Sequence, residues 1–169
     1  DVEKIKAIAE KHNLKVIYDG AHAFNVIYKG KSIFDYGDVS TTSFHATKLF
    51  HTIEGGAVMT PHSHVLKKMA LLRNFGHSGP ESFDAAGING KNSEVHAAMG
   101  LANLKNIKEI VASRKVQSAQ YDAALATLRV SRPQILPGTD WNYSYYPVIF
   151  DSEQQLLKSI EDLNANWIY

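Results

Sequence analysis

Cysteine is missing from all 169 residues. Disulfide frameworks, thiolate zinc sites and cysteine nucleophiles are therefore excluded, and the chain suits a reducing compartment. An excess of one charge is missing too: 18 Lys+Arg stand against 17 Asp+Glu, a formal net charge of +1. A protein that gathers nucleic acid through its overall field needs a larger imbalance, so that class is set aside. No run of about 18 apolar residues is present, so the sequence holds no transmembrane helix. Internal repeats and low-complexity tracts are also lacking. The opening Asp1-Val2-Glu3-Lys4-Ile5 leads into no apolar stretch of the kind a secretory leader carries. Neither end reads as a natural polar tail, which suggests a piece of a longer protein; the alternative is a processed chain. What is present, 44% hydrophobic and 21% charged residues, is the make-up of a globular domain with a core.

Residues 2–12 read as a helix, with Asp1 as cap, Glu3 at the positive end of the dipole, and Ile5, Ile8 and Ala9 as an inward stripe. Strands are expected at Leu14–Tyr18, Phe24–Tyr28, Val39–His45 and Ala57–Thr60, with turns at Asp19-Gly20 and Lys29-Gly30-Lys31. Thr60 and Pro61 then suit the start of a helix that carries Val65, Leu66, Met69 and Leu72 and stops at Gly76. Residues 77–92, rich in Gly, Ser, Asn and Pro, predict an irregular loop. Ser93-Glu94 opens an Ala-rich helix, and a longer pattern over 106–129 would span about 36 Å if continuous. Beyond Pro133 and Pro137-Gly138, a strand at Tyr143–Phe150 and a helix at 152–163 are expected. Strand and helix alternate through residues 1–130, the pattern of an α/β layered domain; the break at 130–140 is the best boundary, and 131–169 read as the start of a small α+β domain.

Chemistry concentrates between residues 16 and 60. Asp19 ends an apolar strand and is followed at once by the small Gly20 and Ala21, with His22 three residues on. Ser43 and Lys48 leave a second strand, ahead of Glu54-Gly55-Gly56. Ligands bind off the carboxyl ends of strands in open α/β sheets, so an acid and an amine at two such ends share one crevice. Each residue also has an ordinary reading: Asp19 as a turn cap, Lys48 as a surface charge, Ser43 as a strand serine and His22 as a packed ring. His45 reads as structural, and His62 with His64, lacking a third ligand nearby, as surface residues rather than a metal site.

Val16-Ile17-Tyr18-Asp19-Gly20-Ala21-His22-Ala23 resembles the V-I-E-D-A-A-H/Q-A motif of the DegT/DnrJ/EryC1/StrS family, the fold-type-I sugar aminotransferases that use pyridoxal phosphate (PLP). Ser43-Phe44-His45-Ala46-Thr47-Lys48 resembles that family's S-F-H-P-T-K, and Glu54-Gly55-Gly56-Ala57-Val58 its E-G-G-A-V. Leu72-Arg73-Asn74-Phe75-Gly76 and Asn92-Ser93-Glu94-Val95-His96 match further landmarks in order, strongest over 16–60 and weakest after 130.

The resemblance implies a three-layer, PLP-transferase-like large-domain portion at 1–130, followed by the start of a small α+β domain at 131–169. It implies that Lys48 forms the Schiff base with PLP and shuttles a proton, and that Asp19 keeps the pyridine nitrogen protonated. His22 is then expected at the cofactor's phenolic oxygen or ring face, and Ser43 at its phosphate. Asn89 matches the asparagine that reaches the neighbouring subunit's cofactor phosphate in a homodimer; a plain turn residue is the alternative. Around it Gly90 and Lys91 replace the family's aromatic and arginine, and lysine does not copy a bidentate guanidinium. The implied reaction moves an amino group from glutamate to a nucleotide-linked keto-deoxysugar, in the cytoplasm, for polysaccharide or antibiotic amino-sugar synthesis. Two rivals stand beside it. The sugar dehydratases of the same scaffold carry histidine in place of the lysine, which Lys48 opposes; a non-catalytic binding relative would be indifferent to Lys48. The family's glycine-rich phosphate loop and stacking aromatic have no counterpart within these residues, so residues 1–169 alone are expected to bind PLP poorly and turn over little.

Overall fold

The computed structural model describes residues 1–168. Helix α1 (Val2–Lys11) starts where expected: the Asp1 carboxylate accepts the Lys4 N–H at 3.1 Å, and Glu3 occupies the first turn. Of its apolar stripe only Ala9 is buried, while Ile5 and Ile8 face outward.

Strand β1 (Ile17–Asp19) begins later than the apolar run suggests. The Leu14 N–H is still spent on the Ala9 carbonyl of the helix end, and the Val16 N–H on the Asp38 carboxylate at 2.9 Å. Next come β2 (Ile27–Tyr28), β3 (Lys31–Ser32), a single 3₁₀ turn at Ile33–Asp35, β4 (Val39–Ser43) and β5 (Gly56–Met59). The expected strand from Phe24 shrinks to β2 because Asn25 adopts a left-handed φ of 63° and the Val26 N–H closes a turn on the Ala23 carbonyl.

Strands β1, β4 and β5 form one sheet in the order β1-β4-β5. The β1–β4 pair is parallel, with Ile17 opposite Val39 and Asp19 opposite Thr41. The β4–β5 pair is antiparallel and runs out at Ser43 opposite Gly56. Parallel pairing puts the carboxyl ends of β1 and β4 on one edge of the sheet. Asp19 and Ser43 are therefore the last residues of adjacent strands on that edge.

Helix α2 (Ser63–Arg73) does not start at Thr60 and Pro61 as expected. The Thr60 hydroxyl instead donates to the Asp38 carbonyl at 2.8 Å and accepts the His62 N–H at 3.2 Å, which delays the helix. The expected loop at 77–92 contains a small hairpin, β6 (His77–Gly79) and β7 (Ser82–Phe83), turned by Pro80-Glu81. Helix α3 (Glu94–Leu104) is capped by Ser93, as its sequence implies. Helix α4 (Ile107–Leu125) is 19 residues long, about 28 Å, and so shorter than the pattern over 106–129 suggests.

Strand β8 (Val130–Ser131) follows, then β9 (Thr139–Asp140), β10 (Ile149–Phe150) and α5 (Glu153–Ala165), whose cap is Ser152. The expected strand at Tyr143–Phe150 survives only as β10, paired with β8, because the chain turns at Tyr143 with φ of 54°. Strand β9 pairs with β2, Thr139 opposite Tyr28 and Asp140 opposite Ile27. That pairing returns the later chain to the segment that follows β1. No helix among the described residues is long and apolar enough to cross a membrane.

Candidate active site at the strand ends

Two loops leave the carboxyl edge of the sheet and are clamped together. In the first, the Gly20 N–H donates to the Thr41 carbonyl at 2.8 Å, and the Asp19 carboxylate turns back to accept the Ala21 N–H at 3.0 Å. A Cβ on Gly20 would stand 2.7 Å from the Phe34 ring, so this close approach needs glycine. In the second loop, the Ser43 hydroxyl accepts the His45 N–H at 3.2 Å and the Lys48 N–H donates to the His45 carbonyl at 2.9 Å. Hydrogen bonds from Phe44 N–H to the Gly55 carbonyl and from Thr52 N–H to the Phe44 carbonyl close that loop. The apolar pair after the lysine, Leu49 and Phe50, is buried. Phe50 stacks on Phe24 of the first loop, with centroids 4.5 Å apart, and meets the Phe44 ring edge-on at 5.0 Å.

This aromatic clamp brings Lys48 Nζ to 2.9 Å from His22 Nε2. The Lys48 ammonium donates to the imidazole nitrogen, so the two side chains are held as a hydrogen-bonded pair. Asp19 stands three residues before His22 on the same edge. Ser43 stands on the adjacent strand with its hydroxyl engaged in the turn to His45. Asn89 is not brought to this pair. It bridges to Asn74 at the end of α2, and its side-chain oxygen accepts the Lys91 ammonium at 2.8 Å. Lys91 also sits over the Phe75 ring, 4.7 Å from its centroid.

Local patterning missed two residues. Asn142 is completely buried, and its amide donates to the His22 carbonyl at 2.9 Å and to the Phe24 carbonyl at 2.7 Å. Tyr145 sets its ring edge-on against His22, with centroids 4.9 Å apart. Tyr145 lies in the stretch that reads as plain strand and Asn142 just before it, so nothing local distinguishes them.

A cavity of about 280 Å³ adjoins the second loop, lined by Lys48, His51, Asn103 and Arg114. A wider one, about 840 Å³, lies between α1 and the amino ends of β1 and β4 and is remote from this chemistry. At its rim Asp38 accepts from the Val16 N–H, from Lys15 at 3.0 Å and from His62 at 3.2 Å. The Val16 N–H, followed by Lys15, holds the Asp38 carboxyl at about 2, well below the usual carboxylate range.

The fold is that of the sugar aminotransferases. Helicobacter pylori PseC, an aminotransferase involved in the biosynthesis of pseudoaminic acid, superposes with a TM-score of 0.88 at 26% identity, over 98% of this chain and 47% of that one. DesV of S. venezuelae, solved in complex with a ketimine intermediate, superposes with a TM-score of 0.85 at 26% identity, over 96% of this chain and 44% of that one. The chain belongs to the DegT/DnrJ/EryC1/StrS aminotransferase family, whose model matches residues 1–168. It is 39% identical over 154 residues to the dTDP-4-amino-4,6-dideoxy-D-glucose transaminase of Shigella dysenteriae, covering 90% of this chain and 42% of that protein. It is 36% identical over 139 residues to the GDP-perosamine synthase of Caulobacter vibrioides, covering 80% of this chain and 38% of that protein. The chain thus spans less than half the length of these relatives.

Proposed function

We propose that this chain carries the cofactor-binding centre of a PLP-dependent aminotransferase that passes an amino group, from glutamate, to a nucleotide-linked keto-deoxysugar. The observation that carries the reading is the Lys48–His22 pair on the same strand edge as Asp19. An amine, an imidazole and a carboxylate on that edge are a donor set that fits PLP. When bound, PLP supplies an electron sink for the carbon that loses its proton.

Lys48 would supply the amine that holds the cofactor aldehyde and, when free, would be the group that holds or gives up a proton at its Nζ. Asp19 has an oxygen left after its bond to Ala21, and a carboxylate beside a ring nitrogen favours the protonated ring. His22 holds the Lys48 amine by its Nε2 and would stand at the phenolic oxygen or ring face. Ser43 would hold a phosphate oxygen, which requires its hydroxyl to donate outward while it accepts from His45. Asn89 would serve the partner subunit's cofactor in a homodimer; the Lys91 contact occupies its oxygen and leaves the amide hydrogens available. Residues 1–130 belong to the large domain in this reading, and 131–169 begin the small one. A nucleotide-linked sugar substrate agrees with the names of the dTDP- and GDP-sugar relatives, and such a biosynthetic step belongs in the cytoplasm.

Lys48→Ala in the full-length protein tests the proposal. It should abolish the visible absorbance of lysine-bound PLP and reduce amino transfer to background. Undiminished absorbance or turnover in that variant would refute it.

A further inference from the structure

We infer that the segment Asn142–Tyr145 positions His22, and through it the Lys48 amine, making residues far along the chain part of the site. The claim deepens the reading of Lys48 as the amine that binds PLP and rests on it.

Two separate contacts from this segment converge on one residue. Asn142, 0% exposed, spends both amide hydrogens on the carbonyls of His22 and Phe24, which flank Ala23 in the turn after β1. Its oxygen accepts the Ser144 N–H at 3.1 Å. Flipping the amide would set its oxygen against two carbonyls and its NH₂ against an N–H, so only one orientation is satisfied. Asn142 thereby fixes the backbone on which His22 rides. Tyr145 fixes the ring: it stands edge-on to His22 at 84°, and His22 Nε2 faces Lys48. Tyr145 is itself 48% exposed, so its role is not to fill a core.

The segment is held at both ends. Strand β9 just before it is paired with β2, and Arg114 of α4 donates to the Ser144 carbonyl at 2.9 Å. Between them Tyr143 takes the left-handed φ of 54°, a costly backbone for a bulky residue. That reversal lets Asn142 and Ser144 be buried while Tyr145 meets His22. Asn142 and Tyr145 are thus positioning residues acting through His22.

Two readouts on the full-length protein test this. In cofactor-free protein, ¹⁵N-resolved NMR follows the titration of the His22 ring; absorbance titration measures the affinity for PLP. Asn142→Ala and Tyr145→Ala should each move the His22 midpoint and weaken PLP binding by about tenfold, the effect of losing one oriented contact. Tyr145→Phe keeps the ring edge and should restore both values. Variants that melt earlier yet keep the wild-type His22 titration and PLP affinity would show the segment to be scaffold only and overturn the inference. If Asn142→Ala does not fold, the contrast between Tyr145→Ala and Tyr145→Phe decides. If the unaltered protein binds no PLP, the aminotransferase reading fails, and the His22 titrations still decide the positioning claim.

Discussion

Asp19 and Asp38 stand at opposite ends of the same parallel strand pair, in very different company. The Asp19 carboxylate accepts one hydrogen bond among the described residues, from its own turn, and its chemistry is proposed to be directed at a cofactor. Asp19→Asn should leave the melting temperature nearly unchanged and slow single-turnover amino transfer by about a hundredfold, the usual cost of removing one preorganised charge. A variant as fast as the parent would remove Asp19 from the mechanism. Asp38 is gripped by the Val16 N–H, Lys15 and His62. Its folded pKa, about 2, lies below the ordinary 3.8. A depressed carboxyl stabilises the fold fully above its ordinary pKa, and that contribution drains away as pH falls toward the folded value. Melting temperature should therefore drop between about pH 4 and pH 2, and Asp38→Asn should flatten that decline. An identical slope in the variant would disprove the linkage.

At the level of elements, the loop that carries Lys48 depends on α3. Gly100 of α3 is buried against Thr52, and a Cβ there would stand 2.8 Å from the Thr52 methyl. The Asn103 amide, one turn later, donates to the His51 carbonyl at 2.9 Å. Alanine is the better helix former by up to about 1 kcal/mol, whereas overpacking this contact costs about 1–3 kcal/mol. Gly100→Ala should accordingly lower stability in a denaturant melt, and a raised midpoint would mean the helix term wins. Three helix starts were legible because caps are local chemistry, Asp1, Ser93 and Ser152 each accepting an N–H from their own first turn, whereas the Thr60 hydroxyl is spent on Asp38 and α2 starts later than expected. Strand extents were not. Residues 14–16 and 143–148 have strand composition, yet their backbone groups answer to Ala9, Asp38 and the turn at Tyr143.

Across the whole molecule, large apolar side chains remain in water: Ile17 and Val95 are each 70% exposed and Leu101 67%. Large exposed apolar side chains favour association. Residues 1–169 should self-associate in light scattering. A monomer at all concentrations would contradict that expectation. Local pattern determined that an acid ends one strand of an α/β chain and an amine follows another, because strand propensity, small residues and turn chemistry act over a few neighbours. Only tertiary structure decided that the amine meets His22, 26 residues away, and that Asn142 reaches the same turn across 120. Those contacts arise from the stacking of Phe24 on Phe50 and the reversal at Tyr143, which depend on packing among distant segments and leave no periodic trace in the sequence.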